Sequence, residues 1–270
     1  MAEGLLLVGC GKMGGAMLQG WLAEGTNPAT VVVVEPAEAL RAPIAETGVK
    51  ALNGPDAIPD DFQPDCVIFA VKPQQMPDVV GDYKRFKGDG TQFLSIAAGT
   101  TIGFFETELG SDAAIVRTMP NTPAAVGKGM MVACPNANVT EAMKERAGAL
   151  LAAVGNVAWI DDEAHMDAVT AVSGSGPAYV FHLIETLGEA GVAAGLPEDL
   201  AKELALQTVY GAGALARDAD DDPAQLRVNV TSPGGTTAAA LEVLMGADGL
   251  KPLMERAVAA ATKRSRELGS

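Results

Sequence analysis

The feature that most limits what this chain can fold into is its opening. Four apolar residues, Leu5-Leu6-Leu7-Val8, run straight into Gly9-Cys10-Gly11-Lys12-Met13-Gly14. A short run that is apolar on both faces reads as a buried parallel strand. A helical pattern follows, with Met13, Met17, Leu18 and Trp21 at helical spacing and Gly25 placed as a left-handed cap. Strand, glycine turn and helix in that order give the G-x-G-x-x-G spacing its physical meaning. Gly9 permits the tight turn, Gly11 puts no side chain in the way of a pyrophosphate, and Gly14 lets the helix close on the strand. The unpaired amides of the helix start, at Lys12, Met13 and Gly14, then face the phosphates.

The next elements extend the same crevice. Val31 to Val34 is a second buried strand, and Glu35 follows it 21 positions beyond Gly14. A carboxylate there accepts hydrogen bonds from an adenosine ribose and repels a 2′-phosphate, which favours NADH over NADPH. Arg41, on the following helix, is within reach of such a phosphate, so use of either coenzyme stays open. Ala70-Val71-Lys72-Pro73 and Ala97-Ala98-Gly99 stand at the carboxyl ends of later strands, where open sheets bind ligands. Small residues there let a dinucleotide lie close to the backbone. Lys72 reads either as an electrostatic aid to the coenzyme or as a surface lysine.

Further strands are predicted over 66–71, 92–96, 114–118, 130–133 and 157–160, with a helix over 37–47. Strands alternating with helices argue a doubly wound sheet. From Asp162 onward no strand pattern remains. Helices are predicted over 185–194 and 197–217, and two more follow the break at Pro233-Gly234. The expected fold is therefore α/β: a Rossmann-type doubly wound domain over 1–161, then an all-α substrate-binding and dimerisation domain over 162–270. Gly188, Gly191, Gly195, Gly211 and Gly213 lie in or beside the helices of the second half. Glycine inside a helix costs roughly 1 kcal/mol relative to Ala, and close helix approach is the usual compensation. A subunit interface is the favoured source of that approach, and tight packing within one chain is the alternative.

Charge and composition exclude several classes of function. A formal net charge of −15 argues against non-specific nucleic-acid binding and against docking on anionic membrane. An anionic substrate must then be held by local dipoles or a local cation. Cys10, Cys66 and Cys134 match no zinc spacing and, being odd in number, give no disulfide framework. They read as small buried side chains in a reducing compartment. His165 and His182 are too few and too far apart for a metal site, and none is expected. No basic-flanked leader and no apolar stretch of bilayer length is visible, so the expectation is a cytoplasmic protein.

Three segments are hard to explain as packing: Met119-Pro120-Asn121-Thr122-Pro123, the run Ala171 to Tyr179, and Asn229-Val230-Thr231-Ser232-Pro233-Gly234-Gly235-Thr236-Thr237. The last has the form of an anion trap. A Pro-Gly-Gly turn leads into a helix, where free amides and the hydroxyls of Ser232, Thr236 and Thr237 converge.

With these motifs in order along essentially its whole length, the chain resembles the pyrroline-5-carboxylate reductase family. The resemblance implies hydride transfer from NADH or NADPH to the imine carbon of L-1-pyrroline-5-carboxylate, giving L-proline. It implies that Ser232, Gly235 and Thr236 hold the substrate carboxylate, and that Thr237, as the catalytic residue, orients or protonates the ring nitrogen. Glu163, Asn229 and, more weakly, Ser175 would line the substrate pocket. Asn53 and Asn121 would join the coenzyme set of Gly9, Gly11, Lys12, Met13, Gly14, Glu35, Ala70, Val71, Lys72, Pro73, Ala97, Ala98 and Gly99. The family commonly accepts NADPH, and its NADPH users usually carry small polar or basic residues where this chain has Glu35-Pro36. Homodimers with interlocked C-terminal helices are implied, with larger rings of dimers open. A 3-hydroxyacid dehydrogenase would need a lysine soon after the glycine motif at 173–179, and none occurs before Lys202. A non-enzymatic dinucleotide sensor would carry a damaged anion trap, whereas Thr231 to Thr237 is intact.

Overall fold

In the computed structural model, which describes residues 4–88 and 90–269, β1 (Leu5–Val8) lies inside an eight-stranded sheet. All four residues are buried because both faces are covered. Leu5 and Leu7 meet Met17, Leu18 and Trp21 of α1 (Lys12–Ala23) on one side. Leu6 and Val8 meet an aromatic cluster of Phe69, Tyr83, Phe93 and Phe105 on the other. The Trp21 indole donates to the Leu150 carbonyl at 2.8 Å, which ties α1 to α5 (Glu141–Ala152).

The remaining strands are β2 (Val31–Val34), β3 (Lys50–Leu52), β4 (Cys66–Phe69), β5 (Gln92–Ser95), β6 (Ala114–Met119), β7 (Gly129–Pro135) and β8 (Gly155–Trp159). Their order across the sheet is β3-β2-β1-β4-β5-β6-β7-β8. Every neighbouring pair is parallel except β6 and β7. The chain winds outward from β1 through β2 to β3, then crosses to β4 on the other side. The switch point, and hence the ligand crevice of such a sheet, falls at the carboxyl ends of β1 and β4.

Strands that are buried on both faces match their sequence signal closely. The short β3 was not expected: three residues, one exposed and two half-buried, give no apolar run to read. Helices α2 (Glu38–Ala45), α3 (Met76–Val79) and α4 (Ile102–Leu109) complete this part of the chain. Gly25 and Gly48 take left-handed φ of 88° and 85°, as expected of residues closing helices.

By compactness the chain forms two units. One runs up to Gly174 and takes in the residues from Thr262; the other spans Ser175–Ala261. Loss of the strand pattern predicts a boundary at 161/162. The compact first unit extends further because a turn at Glu163–His165, α6 (Met166–Val169) and a π-turn at Thr170–Gly174 bury Met166 and Ala171.

The second unit holds α7 (Gly176–Ala193), α8 (Glu198–Asp218), α9 (Pro223–Asn229), α10 (Thr236–Leu244) and the start of α11 (Leu250–Leu268). Helix α7 begins well before the predicted 185, and Pro197 caps α8 rather than opening its first turn. Gly191 of α7 has a within-chain explanation: a Cβ on it would sit 3.1 Å from the Ala201 Cβ, whereas one on Gly188 would make only an ordinary contact, 3.8 Å from the Ala205 Cβ. Gly211 and Gly213 have no such neighbour within 4 Å among the described residues.

Phe69 is fully buried, with its ring 5.7, 6.2 and 5.6 Å from those of Tyr83, Phe93 and Phe105. Phe69→Ala should therefore lower unfolding stability by about 3–5 kcal/mol in a urea titration. A loss below about 1 kcal/mol would show that this cluster is not the core it is taken to be.

Candidate active site

Three backbone approaches shape the crevice beside β1. Gly9 has φ 85° and donates its amide to the Val34 carbonyl at 2.8 Å; a Cβ on it would lie 3.0 Å from the Ala70 carbonyl oxygen. A Cβ on Gly14 would lie 2.6 Å from the Gly9 oxygen and 3.1 Å from the Ala70 Cβ. Gly9, Gly14, Ala70 and Val71 are thus brought together at the switch point. Gly11 is different: its φ of −69° suits any residue, and no atom lies within 4 Å of a Cβ built on it. Gly11 is also the N-cap of α1, and among the described residues no side chain caps that helix. The first-turn amides of Lys12, Met13 and Gly14 are therefore left without a side-chain acceptor, with Lys12 exposed, Met13 half-buried and Gly14 buried against the β1 turn.

Glu35 is buried and braces the turn. One carboxylate oxygen accepts the Cys10 amide at 2.8 Å and the other accepts the Ala37 amide at 2.9 Å. The residue expected to read the ribose therefore also fixes the glycine loop. Arg41 folds back onto the Glu35 and Pro36 carbonyls, at 2.8 and 3.0 Å, and pairs with Glu38. Asn53 is exposed just after β3, next to the end of β2, where the Glu35 amide donates to Leu52. Lys72 is exposed, with Pro73 opening a short 3-10 turn behind it. At the end of β5, Ala97 is buried with its amide on the Ser95 hydroxyl at 3.2 Å, Ala98 is exposed, and Gly99 takes φ 77°.

Other expected residues carry additional contacts. Asn121 accepts the Met130 amide at 2.8 Å and donates to the Ser173 carbonyl and hydroxyl, both at 3.3 Å, which pins the Thr122–Val126 turn between β7 and the π-turn. Glu163 accepts the Ile102 amide at 2.8 Å and pairs with Arg117 at 2.6 Å. Arg117 was missed from sequence, although a charge within the apolar strand Ala-Ile-Val-Arg-Thr-Met was its available signal.

In the second unit, Ser175 precedes α7 and makes no side-chain cap. Asn229 donates to Asp221 at 3.0 Å and accepts from Gln225 at 2.8 Å. Thr231 bonds back to the Arg227 carbonyl at 2.6 Å. The Ser232 carbonyl accepts the Gly235 amide at 3.0 Å, and Gly234 turns the chain at φ 68°. Gly235 is the N-cap of α10, again without a side-chain cap among the described residues. Among those residues the hydroxyls of Ser232, Thr236 and Thr237, at or next to this helix start, have no hydrogen-bond partner.

The described residues include no group of three or more His, Cys, Asp or Glu side chains placed to hold a metal, and no helix long and apolar enough to cross a membrane. Burial, reinforced by Glu35, pushes the Cys10 thiol up to about 11, and burial pushes Cys66 up to about 12. Burial and then Glu163 also raise Cys134.

A glycine turn at the switch point of a parallel sheet, joined to a helical unit, defines a dinucleotide-dependent oxidoreductase of the Rossmann type. Residues 5–99 match the family model described as NADP oxidoreductase coenzyme F420-dependent, and residues 163–268 match the one described as pyrroline-5-carboxylate reductase dimerisation. The pyrroline-5-carboxylate reductase of Pseudomonas aeruginosa is 41% identical over 98% of this chain and 96% of its own. The solved pyrroline-5-carboxylate reductase of Coxiella burnetii superposes with a TM-score of 0.93 at 34% identity, covering 99% of both chains. The pyrroline carboxylate reductase of Plasmodium falciparum, solved with NADP bound, gives 0.83 at 33% identity over 99% of this chain and 98% of its own. The chain belongs to the pyrroline-5-carboxylate reductase family.

The raised thiols have a direct consequence. At pH 8 a thiol titrating near 11 is ionised in only about one molecule in a thousand, and the thiolate is the nucleophile. Iodoacetamide should leave all three cysteines of the folded protein unmodified over a period that fully labels the protein in guanidinium. Rapid labelling of Cys10 in the folded state would contradict its burial.

Proposed function

We propose that the protein reduces L-1-pyrroline-5-carboxylate to L-proline with a hydride from NADH or NADPH, the closing step of proline biosynthesis, in the cytoplasm. The observation that carries the reading is the pair of uncapped helix starts, at Gly11 and at Gly235, within a chain of this family. The residues of the first fit a dinucleotide: an empty space beside Gly11, uncapped first-turn amides, and small residues at 70–71 and 97–99. Bound there, the coenzyme supplies the hydride. Ser232, Gly235 and Thr236 hold the substrate carboxylate by amides, hydroxyls and the helix dipole, so no basic side chain is needed in a protein of net charge −15. Thr237 hydrogen-bonds the ring nitrogen. A threonine hydroxyl is a weak acid, so the proton reaches that nitrogen through water or arrives with an iminium already formed. The chain's contribution is orientation and electrostatics.

A second copy of the chain covers the helical unit. Phe181 is 63% exposed, Tyr210 60% and Val243 76%, on α7, α8 and α10. Apolar residues of this size, spread over three helices, mark an interaction surface. The match of 163–268 to a dimerisation model supports a homodimer as its occupant, with rings of dimers as the larger assembly.

The test is a steady-state assay with pyrroline-5-carboxylate and each coenzyme. Glu35 lies where a 2′-phosphate would meet a carboxylate, so kcat/KM with NADH should equal or exceed that with NADPH. Strong NADPH preference would remove Glu35 from selectivity, and no turnover with either would remove the reaction. Thr237→Val, which keeps side-chain size, should lower kcat about 100-fold with an unchanged circular dichroism spectrum. Unaltered turnover would take Thr237 out of the mechanism.

A further inference from the structure

The Ala97–Thr101 turn is held from two directions by one short segment, Glu163 to Asp167. Glu163 accepts the amide of Ile102, the first residue of α4 and the next after the turn, at 2.8 Å. The same oxygen pairs with Arg117 at 2.6 Å. Four residues on, Asp167 accepts the Ser265 hydroxyl at 2.7 Å and lies 3.7 Å from the Arg266 guanidinium. That tether fixes the last turn of α11, whose main chain rests on Gly99. A Cβ on Gly99 would sit 3.4 Å from the Leu268 oxygen, and one on Gly269 would sit 3.2 Å from the Gly99 oxygen. Between the two anchors lies a cleft of about 300 Å³ lined by Gly99, Thr101, Arg117, Glu163, Asp167 and Arg266 among others. Polar tethers therefore flank the turn on both sides.

Stability alone does not account for this arrangement. Arg117 is buried in β6, and a buried ion pair is often no better for stability than an apolar pair of the same size. Position is the better explanation. With the glycine turn at β1 and the adenosine end directed to β2, the opposite end of a dinucleotide extends toward β4 and β5, where Ala97–Thr101 stands.

We propose that Glu163 and Asp167 are positioning residues for the coenzyme: one fixes the start of α4, the other holds the last turn of α11 onto Gly99, and together they keep the turn shaped for the nicotinamide half. Glu163 then acts on the coenzyme loop rather than on the substrate. This rests on the coenzyme site described under the proposed function.

The experiment measures binding of NADH and NADPH to the full protein by fluorescence, without substrate, alongside the KM for pyrroline-5-carboxylate. In a chain ending at Arg264, and in Asp167→Ala, the coenzyme dissociation constant should rise about fivefold or more while the substrate KM stays within about twofold. Combining the two changes should add nothing, because both cut the same tether. Glu163→Gln should weaken coenzyme binding in the same selective way; if it fails to fold with Arg117 left unpaired, the two tether variants decide. A dissociation constant unchanged in both tether variants, or a substrate KM that rises in step with it, overturns the proposal. Gly11→Val separates this failure from that of the site itself. Its φ of −69° and empty surroundings let it fold, and it should abolish coenzyme binding. Coenzyme still bound by Gly11→Val would overturn the site and this proposal together. Binding lost in Gly11→Val but unchanged in the tether variants overturns the positioning role alone.

Discussion

The contact of α1 with the strands beneath it, at Gly14, sets the geometry on which everything else depends. A single methyl group there would meet the Gly9 carbonyl at 2.6 Å. Because that methyl is missing, the helix starts almost on top of the β1 turn, beside the switch point between β1 and β4. Glu35 completes the arrangement by taking the Cys10 amide from the end of β2. A side chain expected to select the coenzyme is thereby built into the loop that receives it. Replacing Glu35 would also loosen the glycine turn, so the selectivity proposed for it is tied to the order of the loop.

An acidic protein that handles an acidic substrate faces a long-range repulsion, and the architecture answers it locally. Helix dipoles and backbone amides act over the first turn only. They therefore attract a carboxylate or a phosphate at a chosen point without altering the overall charge of −15. In the proposed sites the same solution serves twice, at Gly11 and at Gly235, two helix starts reached by different turns: a parallel-strand glycine loop in one, a Pro-Gly-Gly bend in the other.

What could be read from the sequence was whatever is local. Leu5 to Val8, the glycine spacing and the β-branched run at Val31 declare strands and turn because each is decided by its own few residues. The Pro233-Gly234-Gly235 turn before α10 was legible for the same reason. The three residues of β3 carry no pattern of their own and pair only because β2 is alongside. The start of α7 was hidden because Gly176 and Pro177 look like loop residues, although proline is well suited to a helix's first turn. Arg117, Asp167 and Ser265 stay invisible because their meaning lies in partners 46 and 98 positions away. Glu163 was singled out through the family likeness. The geometry adds that its carboxylate is engaged by Arg117 and by the first amide of α4.

The most direct measurement is a crystal structure of the protein with its oxidised coenzyme and L-proline. The pyrophosphate should lie over Gly11 on the amides of α1, and the proline carboxylate should lie on the turn from Ser232 to Thr236 with its ring nitrogen at the Thr237 hydroxyl. A pyrophosphate bound away from the glycine turn, or a proline carboxylate held by basic side chains elsewhere, would contradict the idea that two bare helix starts do the binding.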